Sequence, residues 1–217
     1  MPEKLGYIAA MLFVITSIIG SLNWSKLPNY KSKVFLFSII FSSIVEVIGI
    51  FFNDWTNGLL SYYVYNVYIY VLFVIYLFIL RSILKNYRCK VLGTFFIILY
   101  TCGFILSLIL QFDTFGHNIY SGVYTLGVLL FIILSSFYLI ELFNSSNVLN
   151  YKKNIFFWFI IGVLLFHVPF LPFMLALDWF LIEYRTSTYW IVLLILNLIM
   201  NTCFIIGFLW TEKKYNY

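Results

Sequence analysis

The side chains of this chain that could do chemistry inside an apolar medium are few, and they recur at helical spacing. Glu46 stands in the series Ser38, Ser42, Glu46, Gly49 and Asn53, whose steps of four, four, three and four put all five on one helix face. Tyr62, Asn66 and Tyr70 share a face of the next apolar run, with Tyr65, Tyr68 and Tyr76 on an adjacent face. His167 is followed closely by Pro169 and Pro172, and Asn197 and Asn201 lie one turn apart on a stripe with Trp190 and Phe204.

Each set has a functional and a packing reading. A carboxylate deep in a bilayer costs about 3 kcal/mol unless it is paired or protonated. Glu46 therefore reads as a proton- or cation-responsive group or ligand anchor, or as a structural carboxyl bonded to neighbouring helices. Tyrosines line amphipathic pockets with both ring and hydroxyl, but they also form belts at the lipid interface. Asparagines such as Asn197 and Asn201 hydrogen-bond between membrane helices for roughly 0.6–2 kcal/mol, or serve a ligand instead. His167 alone is a packing histidine; beside a carboxyl it would be one half of a coupled pair. Each proline removes a backbone donor and crowds the carbonyl one turn earlier, at Leu165 and Val168, which predicts a kink. Broken helices at such depth often line binding sites.

The elements that must position these groups are membrane helices. Of the 217 residues, 64% are hydrophobic and only 10% charged, far from the soluble norm of roughly 25% charged. Seven stretches approach the ~20 apolar residues that span a bilayer: Tyr7–Asn23, Val34–Phe52, Tyr62–Leu84, Val91–Leu110, Tyr120–Phe143, Ile155–Leu177 and Tyr189–Trp210. The tyrosine-rich start of the third looks strand-like, but it continues unbroken to Leu80, and only a helix satisfies such a backbone within lipid. The expected fold is thus all-α, a single polytopic bundle of seven transmembrane helices over residues 1–217.

Charge orients the bundle. The first loop holds Lys26, Lys31 and Lys33, the third Arg81, Lys85, Arg88 and Lys90, the fifth Lys152 and Lys153, and the tail Lys213 and Lys214. The second and fourth loops hold no basic residue, the sixth only Arg185, and Lys4 alone precedes the first span. Basic loops stay in the cytoplasm, so the N-terminus is expected outside and the C-terminus inside. Counting ~1.5 Å per residue places Glu46 in the outer half, about 10 Å below the surface. Asn66, His167 and Asn197 fall at similar depth. One outward-opening pocket containing Glu46, Asn66, Tyr70, His167, Asn197 and Asn201 is the resulting expectation.

Several classes lack their residues. Every lysine is in a loop or tail, so no retinal Schiff base is expected. No Walker loop, dinucleotide fingerprint, HExxH or GxSxG occurs, and no catalytic group or cofactor is assigned. Cys89, Cys102 and Cys203 form no redox pair or zinc set, and the net charge of +5 is read as a topology signal rather than a nucleic-acid footprint. Asp54, Asp113, Asp178 and Glu183 fall near the outer surface, Glu141 near the inner one. The end of the first run, Gly20-Ser21-Leu22-Asn23-Trp24, lacks a small-x-small cleavage site and is read as a retained helix.

The chain resembles a group of small seven-helix membrane proteins of Bacteroidetes. The likeness is carried by Ile18-Ile19-Gly20, Val45-Glu46-Val47-Ile48-Gly49, Tyr65-Asn66-Val67-Tyr68, Asn154-Ile155-Phe156-Phe157-Trp158-Phe159, Trp190-Ile191 and Asn197-Leu198. It implies a bacterial inner (cytoplasmic) membrane and companionship with membrane signalling proteins, and no activity. A looser likeness is to the SWEET sugar transporters, where asparagines in the third and seventh helices serve the substrate; Asn66 and Asn197 match those places. No Pro-Gln pair occurs here, and prolines are missing from helices other than the sixth.

Three functions fit, and an intramembrane enzyme stays open as a fourth without a positive motif. The first is a receptor or sensor that binds a small ligand from outside and couples to a cytoplasmic partner. The second is a transporter of a small polar solute, proton-coupled through Glu46. The third is a structural or assembly subunit.

Overall fold

Asparagines mark where three of the apolar helices begin. The computed structural model describes residues 2–27, 29–56, 59–111, 119–145, 148–176 and 186–215, without the side chains of 2–5, 50–56, 59–61 and 186–187. Seven α-helices occupy the described residues: α1 (Pro2–Leu22), α2 (Tyr30–Thr56), α3 (Leu59–Ile83), α4 (Tyr87–Leu110), α5 (Ser121–Phe143), α6 (Ile155–Leu175) and α7 (Thr186–Trp210). Short 3-10 turns follow α1 at Trp24–Lys26, precede α6 at Val148–Lys153 and follow α7 at Lys213–Tyr215. Among the described residues there is no strand. The side chain of Asn53, together with Asp113, Leu177, Asp178, Glu183 and Arg185, lies outside the described residues, as does the side chain of Asp54.

Six of these helices contain segments long and apolar enough to cross a membrane: Tyr30–Gly49, Tyr62–Ile83, Tyr87–Leu110, Ser121–Phe143, Ile155–Leu175 and Thr188–Trp210. Gly6–Leu22 is apolar but shorter. The chain is therefore an integral membrane protein built of lipid-facing helices.

Two helices with described caps start ahead of their apolar runs. α2 begins at Tyr30 and α4 at Tyr87, each ahead of the first residue of its apolar stretch. Asparagine caps explain this, because a side-chain acceptor satisfies an otherwise orphaned N–H. The Ser32 N–H donates to Asn29 Oδ1 at 3.0 Å, Arg88 N–H to Asn86 Oδ1 at 2.9 Å, and Phe156 N–H to Asn154 Oδ1 at 2.9 Å. The expected third basic loop shrinks accordingly: Arg81 lies in the last turn of α3, and Arg88, Cys89 and Lys90 lie in the first turn of α4. α6 runs unbroken through Pro169 and Pro172.

The helices form two compact units. The first comprises Met1–Ser43 and Leu139–Tyr217, the second Ile44–Tyr138. In the first, α7 packs on both α1 and α6. Phe35 of α2 is its aromatic centre: fully buried, it meets the rings of Phe159, Phe204 and Phe208 at 4.7, 5.1 and 5.4 Å. Close approach depends on missing side chains, since a Cβ on Gly20 would strike Leu36 Cδ1, and one on Gly162 would lie 2.7 Å from Phe204 Cε1.

The second unit packs α3 on α4. Buried Phe73 meets Tyr76, Tyr100 and Tyr124 edge-on, with centroids 5.8–6.1 Å apart. Gly127 of α5 lets that ring in, because a Cβ there would lie 2.7 Å from Phe73 Cγ. Gly127→Ala is therefore expected to lose about 1–3 kcal/mol of unfolding free energy, since overpacking forces a ring out of its rotamer. Gly122→Ala, with nothing within 4 Å of the new methyl, is expected to be neutral or to gain up to ~1 kcal/mol of helix propensity. Unfolding both variants in mixed micelles separates the two; equal stabilities would discount the close approach.

Candidate functional site

Glu46 and Asn66 belong to the second unit and are held there by specific donors. The Tyr65 hydroxyl donates to Glu46 Oε2 at 3.3 Å, joining α2 to α3. Gly49, one turn along from Glu46, makes the reach feasible: a Cβ there would lie 2.9 Å from Tyr65 Oη. The Tyr65 ring is steadied edge-on by Tyr68 at 6.3 Å. At 3.3 Å the bond lies beyond the usual O–H···O range and is a weak one.

Asn66 is buried and caps a neighbouring helix. Its Oδ1 accepts the Tyr120 N–H at 2.9 Å, just ahead of α5, while the Tyr120 hydroxyl donates to the Gln111 carbonyl at 2.6 Å. Asn66→Leu takes the acceptor from a buried backbone N–H and is expected to cost about 1–3 kcal/mol. The Tyr120 amide should exchange its hydrogen faster in that variant; unchanged protection there would remove the capping role. Tyr70 stacks on Phe104 at 4.2 Å and on Tyr100 at 5.9 Å, with its hydroxyl 3.4 Å from Thr101 Oγ1. It is an aromatic fastener between α3 and α4.

The other polar residues belong to the first unit. Ser38 and Ser42 turn their hydroxyls onto carbonyls of their own helix, at Phe35 (2.7 Å) and Ser38 (2.9 Å). The Ser17 and Ser43 hydroxyls meet at 2.7 Å and join α1 to α2. His167 is buried on α6, edge-on to Phe166 with centroids 4.8 Å apart.

The most unusual chemistry lies along α7. Asn201 is buried; its Nδ2 donates to the Asn197 carbonyl at 2.9 Å, and Asn197 Nδ2 donates to the Leu193 carbonyl at 3.0 Å. Both donors are thus turned onto their own helix. Asn201 Oδ1 faces Thr16 Oγ1 of α1 at 2.7 Å, but the same hydroxyl lies 2.8 Å from the Leu12 carbonyl, so one proton serves two acceptors. Asn197 Oδ1 is buried and accepts from no described group, the one such side-chain atom among the described residues. Along this stretch of α7 one side-chain oxygen shares a donor and the other has none. Thr16 is absent from the sequence-derived set; the adjacent hydroxyls of Thr16 and Ser17 in the apolar run of α1 were its only signal.

No group of three or more His, Cys, Asp or Glu residues that could hold a metal occurs among the described residues. The chain matches no family model, no curated protein and no solved structure.

Proposed function

We propose that the protein is a receptor or sensor module of a bacterial inner membrane, crossing it seven times with the N-terminus outside and the C-terminus in the cytoplasm. In this reading α1 is the seventh span, and the alternation of basic and non-basic loops supports it. The module takes a small ligand bearing a hydrogen-bond donor from the outer side, with Asn197 as its acceptor, and couples to a cytoplasmic partner. Asn201 and Thr16 hold α1 against α7 beside it, so a ligand that competes for these amides changes how the two helices meet.

One observation carries the reading: the buried, unpartnered Asn197 Oδ1. Asparagines kept for packing alone are expected to be saturated, because an orphaned buried acceptor costs about 1–3 kcal/mol. An acceptor left open on α7 fits a ligand's ammonium, hydroxyl or amide group. His167, in the same unit as Asn197, remains a candidate for a further ligand contact.

The test is a thermal-shift screen of the purified chain against a primary ammonium (ethanolamine), a polyol (glycerol) and a primary amide (propionamide), followed by flux into proteoliposomes. A compound that stabilises the protein and is not transported supports the receptor. A transported compound gives the site to a solute transporter instead. No shift with any donor class leaves the assembly-subunit reading.

A further inference from the structure

The end of the first unit where α1 and α7 finish and α2 and α6 begin gathers positive charge. Lys26, Lys31, Lys33, Lys152, Lys153, Lys213 and Lys214 lie there, with Glu141 and Glu212 the acidic residues. Part of this charge is held in place. The 3-10 turn at Val148–Lys153 packs against the turn at Lys213–Tyr215. The Glu212 N–H donates to the Lys153 carbonyl at 3.1 Å, and the Lys153 ammonium pairs with Glu212 Oε1 at 2.8 Å and lies 5.4 Å from the Tyr215 ring. The hydrogen bond to Glu212 also raises the Lys153 ammonium above its ordinary pKa.

This latch also concentrates like charge. It consumes the Glu212 carboxylate and brings Lys213 and Lys214 up to the turn that carries Lys152. These three lysines are exposed, and no described carboxylate pairs with them. Beneath them lies an aromatic floor. Trp158 Nε1 donates to the Lys152 carbonyl at 2.8 Å, and the Trp158 and Trp210 rings meet edge-on at 5.9 Å. Tryptophan favours headgroup depth, where one edge is apolar and the other polar. The lysines therefore stand at the height of lipid phosphates.

We propose that Lys152, Lys213 and Lys214 form a docking site for the phosphate headgroup of an anionic phospholipid, with Trp158 and Trp210 against its glycerol and upper acyl region. Charge complementarity favours this occupant: clusters of lysine flanking a membrane helix attract anionic lipid, with each side chain contributing. A lipid also satisfies both halves of the surface, cationic rim and aromatic floor, which a soluble anion does not.

The test uses the full chain in phosphatidylcholine nanodiscs doped with phosphatidylglycerol, the lipid retained after extraction being identified by native mass spectrometry. Wild type is expected to retain phosphatidylglycerol selectively. The triple variant Lys152→Gln/Lys213→Gln/Lys214→Gln is expected to lose that selectivity by at least tenfold, on the order of 100-fold if the three act additively. The matching arginine triple should keep it, as should Lys85→Gln/Arg88→Gln/Lys90→Gln, which removes the same charge from the α3–α4 corner. The single Lys213→Glu reads the same loss without a multiply altered surface. Equal loss in the second glutamine triple means diffuse charge and overturns the site. So does a wild type that retains both lipids alike, or inorganic phosphate that displaces phosphatidylglycerol.

Discussion

Asn197→Leu is expected to unfold later than the wild type and to lose its ligand response. The two effects share one atom. Leucine keeps the branched four-heavy-atom outline of asparagine, with bulkier methyl ends, and removes an acceptor that is buried without a donor. Its lost Nδ2 donor reaches only the Leu193 carbonyl, which keeps its helical partner. The orphan's cost is about 1–3 kcal/mol in water-based measurements. In a bilayer the unfolded helices also find partners, so a gain of about 1 kcal/mol is expected. Any donor compound that stabilises the wild type should bind the variant at least tenfold more weakly, a loss of about 1.4 kcal/mol. Reversible unfolding in mixed micelles and the thermal-shift screen measure the pair. A variant that unfolds earlier would mean that Asn197 Oδ1 has a structural donor in the bilayer, and the ligand reading would fall with it.

Phe35→Ala is expected to be the most damaging single truncation in the first unit. In soluble proteins such a change costs about 3–5 kcal/mol, part transfer from water and part cavity. Between membrane helices the transfer part largely disappears, because the ring meets hydrocarbon in either state. The cavity part persists: Phe159, Phe204 and Phe208 all contact Phe35, and none can fill the gap without leaving another. A loss on the order of 2–3 kcal/mol remains. Phe37→Ala on the exposed face of the same helix is the control and should change stability little. Similar losses at both positions would indicate that α2 contributes through hydrophobicity alone.

The sequence made the helices legible and their partnerships illegible. Each apolar run became a helix, because lipid forces the backbone to bond to itself whatever the neighbours are. The starts were misplaced where charge was taken as the limit: Lys31, Lys33, Arg88 and Lys90 lie inside helices that asparagine caps had already begun. Those caps are readable in Asn29, Asn86 and Asn154, which stand just outside the apolar runs. Grouping Glu46, Asn66, His167 and Asn197 by depth used one coordinate only. Depth cannot say that Asn66 caps the start of α5, or that Thr16 stands opposite Asn201, because helical periodicity fixes a face and not the helix that will meet it. Tyr70 shows the same limit: its hydroxyl and ring suggested a pocket, and its ring is spent on Phe104 and Tyr100.

The edge-on pair of Trp158 and Trp210 also supplies an optical reporter. Two indoles whose centres lie 5.9 Å apart, with ring planes at 82°, couple their intense far-ultraviolet transitions, so they should give a circular dichroism couplet there that neither gives alone. The rings come from the start of α6 and the end of α7, and the Trp158 indole is tied to the Lys152 carbonyl. Loosening of that corner would therefore be visible as the couplet fades, with no label attached and with the protein still in its bilayer.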